Sequence, residues 1–307
     1  MKKVFEILNE EELKSLNDNI NKKILDLTNK KKTPKYDTLV LAGCSSKGFY
    51  LLGALDYALD NYILKNIKNM IGTSSGSIIM FLLAIGYTPI EMVENLFTDG
   101  VMDNLSSFSI TKMVDNNGAL SYSHVQTILE KMTINKIGYL PTLQNIKDRF
   151  GKNLIFTTYN LSKSKIEYMS YKNNPELPCL TAIRMSSSLP LIFERFFYNN
   201  SFYLDGGVCD NFPLQKGEEI GEKVLGITLD NYTTNYKPDS NILELMYNCL
   251  FIPVNENVKN SIQNKKESTK VVELSLNTDI SFFDFKIDTT TKLDMFSNGY
   301  NQFKNQI

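Results

Sequence analysis

The stretch Met70-Ile71-Gly72-Thr73-Ser74-Ser75-Gly76, continued by the apolar run through Ile78, Ile79, Met80, Phe81 and Leu82, decides how this chain is read. Apolar residues end a strand, glycines bracket a serine, and a buried helix begins at once over residues 75–86. A G-x-S-x-G corner of this kind bends the chain sharply from strand to helix. It exposes the serine hydroxyl at the edge of a sheet, near a helix N-terminus. Ser74 is therefore the candidate nucleophile. A hydroxyl attacks poorly until a neighbouring group takes its proton, so a base is required beside it.

Few bases are on offer. The single histidine, His124, sits in Ser121-Tyr122-Ser123-His124-Val125 at the start of a helix that turns Val125, Ile128 and Leu129 toward the core. Its place between Ser74 and Asp205 departs from the Ser…Asp…His order of α/β-hydrolases. Asp205 fits better: Phe202-Tyr203-Leu204 delivers it from an apolar strand, and Gly206-Gly207 lets the chain turn away without crowding a substrate. Aspartate is a weak base in water, but desolvation in a cleft raises its proton affinity. Asp210 is the fallback, in a stretch (Asn211-Phe212-Pro213) that reads as a turn or cap.

A third element is the loop Gly43-Cys44-Ser45-Ser46-Lys47-Gly48, between the first strand and the first helix. Amides at such a turn, reinforced by a helix N-terminus, hold a negatively charged oxygen. The oxyanion of an acyl transfer needs donors of this kind, worth roughly 3 kcal/mol each. Phosphate binding is the competing use, but the loop fits neither G-x-G-x-x-G nor G-x-x-x-x-G-K-[ST].

Around these motifs the chain alternates. Thr38-Leu39-Val40-Leu41-Ala42 suits a buried parallel strand, and residues 47–62 a helix with Leu51, Leu52, Leu55, Ala58 and Leu59 on its apolar face. Further strands are expected at residues 154–159, 166–169, 202–204, 224–229 and 271–274. This order predicts an α/β fold in three layers, with a mainly parallel central sheet flanked by helices. Residues 1–35 read as a separate helical extension and linker: Leu13, Leu16, Ile20, Ile24 and Leu27 form an apolar stripe, and Lys30-Lys31-Lys32-Thr33-Pro34 ends it. Residues 36–307 then form the main domain. The turn-rich stretch 97–120, with Phe97, Val101, Met102, Leu105 and Phe108 interspersed, reads as a lid or flap, or as a loop tucked onto the core.

Composition narrows the classes. An apolar fraction of 42% supports a sizeable core, and a formal net charge of −1 gives no general basic surface for nucleic acid. Cys44, Cys179, Cys209 and Cys249 lack C-x-x-C spacing and read as reduced thiols of a cytosol-like compartment. The N-terminus lacks an apolar signal core, and the longest apolar run, around residues 78–85, is too short to span a bilayer. The expectation is a cytoplasmic protein, peripheral at membrane surfaces.

Taken in order, the motifs resemble those of the patatin-like phospholipase family: a G-G-G-x-[KR]-G loop, a G-x-S-x-G nucleophile and a D-G-[GA] carboxylate. Ala182-Ile183-Arg184-Met185-Ser186-Ser187-Ser188-Leu189-Pro190 is similar to the family's Ser-rich block, and Asn211-Phe212-Pro213-Leu214 to the stretch after its aspartate. The likeness covers roughly residues 37–305. It implies a Ser-Asp dyad acting on lipid esters at a membrane or micellar interface, with no cofactor and no metal required. Ser74 would be the nucleophile, Asp205 the base, and the amides of Cys44, Ser45 and Ser46 the oxyanion hole, with Lys47 at the family's basic position. Cys44 and Ser45 replace the loop's second and third glycines; a positive φ at either costs on the order of 1 kcal/mol. A transacylase with the same dyad, or a catalytically impaired lipid binder, are the alternatives.

Overall fold

The computed structural model describes residues 36–98, 120–230, 242–276 and 287–307. The expected extension over 1–35 and residues 99–119 of the turn-rich stretch lie outside them. Among the described residues, strands β1 (Thr38–Leu41), β2 (Asn69–Thr73), β3 (Asn153–Asn160), β4 (Lys165–Ser170), β5 (Phe196–Tyr198), β6 (Ser201–Asp205), β7 (Val224–Asp230) and β8 (Lys270–Ser275) build one sheet. Its order is β5-β6-β3-β2-β1-β7-β8, with β4 also paired to β3. From β3 through β8 the neighbours are parallel; β4, β5 and β6 enter antiparallel.

The helices are α1 (Gly48–Asp60), α2 (Ser75–Ala84), α3 (Pro89–Thr98), α4 (Ser123–Ile137), α5 (Leu143–Phe150), α6 (Cys179–Ser186), α7 (Leu214–Ile220), α8 (Ile242–Gln263) and α9 (Thr289–Gln306). Side chains alternate across a strand, so Leu39 and Leu41 enter the core shared with α1, α2, α6 and α9, while Val40 and Ala42 enter the core under α7 and α8. Burial on both faces is why β1 is a continuous apolar run. Among the described residues no single helix is long and apolar enough to cross a membrane.

The strand that positions the site is β3. Along one edge, β2 pairs parallel up to Thr73 opposite Thr157, and β6 pairs antiparallel down to Asp205 opposite Thr158. The other edge of β3 is taken by β4, whose pairing runs from Ile155 to Asn160. Hence β2 and β6 share an edge and meet head to head, and the carboxyl ends of both strands converge. That collision brings Ser74 and Asp205 together across 131 positions of sequence (205 − 74).

Sequence reading missed β5. Its signal was Asn199-Asn200, both with positive φ (43° and 57°). Asparagine tolerates that region, and a two-residue turn of this hand joins hairpin strands.

Candidate active site

Ser74 stands at φ 55°, ψ −123°, between the end of β2 and the first residue of α2. Such a conformation costs about 1–3 kcal/mol and persists only where the surroundings impose it. The flanking glycines show how. A Cβ on Gly76 would lie 2.6 Å from the Ala42 carbonyl oxygen, and one on Gly72 2.7 Å from Ser77 N. The helix thus packs backbone to backbone on β1 and β2, which leaves the serine no relaxed alternative.

Hydrogen bonds from the end of α6 fix both candidate residues. The Ser74 N–H donates to Ser186 Oγ (3.1 Å), which shares a second hydrogen bond with Ser77 Oγ (2.7 Å). The Asp205 N–H donates to the Ser188 carbonyl (2.9 Å). Tyr122 hydroxyl and Ser187 Oγ lie 2.8 Å apart, and the Arg184 guanidinium stacks 4.2 Å over the Tyr122 ring. One short segment, 186–188, therefore holds the backbones of both. The Ser-rich block was noticed in the sequence, but this bracing role was not.

Asp205 is 1% exposed. Its Oδ1 accepts the Gly207 N–H at 2.7 Å, and its Oδ2 has no hydrogen-bond partner among the described residues. Burial pushes its pKa up to about 7, against the lowering pull of the nearby Ser74 hydroxyl and the Gly207 amide. A carboxylate with a free oxygen, beside a serine hydroxyl and with a proton affinity near neutrality, is equipped as a general base. Asp210 is not so placed: its Oδ2 accepts from the Tyr168 hydroxyl (2.7 Å), and its carbonyl accepts from Thr73 Oγ1 (3.0 Å). His124 lies half-buried in the first turn of α4.

The loop after β1 forms a single 3₁₀ turn, Ser45–Lys47, which runs into α1. Ser45 takes the positive φ, 50°, whereas Cys44 stands at −141°. The Cys44 N–H, expected among the oxyanion donors, is already committed to Ser75 Oγ (2.9 Å), which also lies 3.0 Å from the Cys44 thiol. Burial keeps that thiol protonated, with its pKa pushed up to about 12. Ser45 and Ser46 head the turn, where the first N–H groups of a helical run have no partner upstream within it. Gly43 ties the loop to the Asp205 side: its N–H donates to the Asn211 carbonyl, and Asn211 Nδ2 donates to its carbonyl, both at 3.0 Å. The serine corner and the buried carboxylate thus meet at the carboxyl edge of the sheet, with the start of the loop alongside: a Cβ on Gly43 would lie 3.2 Å from Ser74 Cβ.

The sequence model for "Patatin-like phospholipase" matches residues 39–216, which include the loop, Ser74 and Asp205. The chain is 38% identical over 191 residues to probable lipid hydrolase 463L of invertebrate iridescent virus 6, covering 59% of this chain and 63% of that protein. It is 30% identical over 284 residues to uncharacterized protein R571 of Acanthamoeba polyphaga mimivirus, covering 88% and 93% of the two chains. Among solved structures, VipD of Legionella pneumophila superposes with a TM-score of 0.52 at 16% identity, over 89% of this chain and 67% of that one. That likeness speaks to the fold, an α/β sandwich around a mostly parallel sheet. By its motifs in order, and by a family match over more than half its length, the chain belongs to the patatin-like phospholipase family.

Proposed function

We propose that the protein is a lipid acyl hydrolase working through Ser74 and Asp205. The observation that carries this reading is the head-to-head meeting of β2 and β6, which sets a strained serine against a buried carboxylate with a free oxygen. Asp205 takes the Ser74 proton as the hydroxyl attacks a fatty-acyl ester carbonyl. The Ser45 and Ser46 amides hold the resulting oxyanion. Collapse expels the alcohol or lysolipid, which leaves with the proton from Asp205. Water then gives a proton to Asp205 and attacks the acyl-serine; the fatty acid departs and Ser74 recovers its proton. The test is a panel of phospholipids, triglycerides and short esters, read by mass spectrometry. Free fatty acid with the matching alcohol or lysolipid is expected; no release from any class would overturn the reading.

A dyad needs no imidazole, so His124→Ala should keep activity within about twofold of the parent, since it removes a half-buried side chain outside the proposed chemistry. A loss comparable to that of a Ser74 variant would restore a histidine to the mechanism.

Ser186 is a positioning residue in this scheme. Ser186→Ala leaves the Ser74 N–H without its acceptor and should lower kcat by about 10- to 100-fold, the scale of a small misplacement, with KM little changed. Ser186→Thr, which keeps the hydroxyl, should recover much of it. Equal loss in both variants would argue for simple misfolding of the corner.

A further inference from the structure

β3 extends beyond the site. Asp205 pairs with Thr158, and β3 continues through Asn160 into the turn that leads to β4. At about 3.3 Å per residue this carries the β3–β4 turn and the start of β6 roughly 7–10 Å past the carboxyl end of β2. These hairpins therefore stand as a rim on the edge where Ser74 opens.

The two faces of the rim differ. Tyr203 and Asp205 point inward, toward α6. On the other face Tyr159 pairs with Ile166 on one side and Leu204 on the other, and Phe197 pairs with Phe202, their rings 4.8 Å apart. The helices α7 and α8 cover this side over Val40, Ile71 and Ile155, and among the described residues the core there reaches Tyr168 but not the rim. Phe197 is 54% exposed, Leu161 46% and Ile166 36%. A contiguous row of this kind marks an interaction surface, unlike apolar residues scattered singly.

Among the described residues the charged side chains placed at the rim itself are basic, whereas Asp210 and Glu219 lie below it against Tyr168. Arg195 lies 5.3 Å over the Phe202 ring, and Lys163 is exposed in the β3–β4 turn. Glu167, by contrast, sits on the inward face, in reach of Lys165 and Asn160. Aromatic and aliphatic side chains with Arg and Lys among them fit an anionic lipid surface. A strand from a second copy fits less well, because strand addition would use the backbone at the sheet edges of β4 or β5 and leave this row of side chains on the sheet face uncovered.

We infer that the exposed face of the β3–β4 and β5–β6 hairpins docks the protein on an anionic lipid surface and sets the mouth of the site beside it. The inference rests on the lipid-ester reading for its purpose, but it is measured separately. The full-length Ser74→Ala protein, which cannot consume the membrane, is sedimented with phosphatidylcholine vesicles with and without phosphatidylserine. Stronger partition onto the anionic vesicles is expected. Adding Phe197→Ser with Leu161→Ser should lower it by about tenfold or more. Arg195→Gln should lower it about fivefold, on the anionic vesicles alone.

The same substitutions in the active protein should leave hydrolysis of a monomeric short-chain ester unchanged, which shows the fold intact. Unchanged partition in the double variant overturns the inference, as does partition that disappears only when residues 1–35 are deleted. A double variant that changes from dimer to monomer with no change in vesicle binding assigns the face to self-association instead. Vesicle binding without fatty-acid release from any lipid sinks the hydrolase reading and leaves the docking surface. Short-ester hydrolysis without vesicle binding does the reverse.

Discussion

Ser74→Ala is expected to bring ester hydrolysis down to the background rate, a fall of about 10⁴-fold or more, because in the proposed mechanism its hydroxyl carries the acyl group. Labelling by a serine-reactive fluorophosphonate should vanish with it. The fold should survive. Alanine meets the same φ of 55° that serine does, and the packing of Gly72 and Gly76 is untouched. A melting temperature within a few degrees of the parent, measured alongside the rate, separates lost chemistry from lost structure. Retained labelling of the variant would show that the reactive hydroxyl lies elsewhere.

Asp205→Asn should cost about 10³- to 10⁴-fold in kcat, since an amide of similar shape cannot accept the proton. The parent enzyme should also carry the signature of that carboxyl in its pH profile. With a pKa raised to about 7, Asp205 is protonated and idle in acid. Activity should climb as pH rises through about 7 and level off above it. A profile that is flat between about pH 5 and pH 9 would remove Asp205 from the role of base.

Stability should move the other way. In the unfolded chain the carboxyl titrates near 4, whereas in the fold it holds its proton up to about pH 7. A folded pKa above the unfolded one means that the native state binds the extra proton, so stability falls as pH rises between these values. At about 1.4 kcal/mol per unit, the ionised Asp205 destabilises the fold by on the order of 4 kcal/mol above pH 7, and by nothing below about pH 4. Asparagine lacks that ionisation. Asp205→Asn is therefore expected to melt higher than the parent at pH 8 and to lose that advantage at pH 4. A lower melting point at pH 8 would contradict a desolvated carboxylate.

Much of the arrangement could be read from residue order alone. Apolar runs of strand length, with helical patterns between the first of them, marked β1, β2, β3, β4, β6, β7 and β8 as strands of a mainly parallel sheet; which of them run antiparallel was not legible. The G-x-S-x-G corner was legible because its glycines are sterically obligatory where α2 touches β1 and β2. Asp205 was legible as the end of an apolar strand before two glycines. The short strand β5 escaped notice because three residues give no period to count, and only Asn199-Asn200 betrayed its hairpin. The commitment of the Cys44 amide escaped as well. Nothing in the sequence of the loop says that Ser75, 31 positions on, will place its hydroxyl there.

The sequence by itself determined the layered α/β architecture, the strained serine corner and the identity of the residues available for chemistry, because each depends on local period, sterics or residue type. Only the tertiary structure decided how they meet. Strand register along one edge of β3 is a long-range property, and it alone brings Ser74 and Asp205 together. Burial by distant elements pushes Asp205 up to about 7. Hydrogen bonds from the 186–188 segment hold the backbones of Ser74 and Asp205, and Ser75 takes the Cys44 amide.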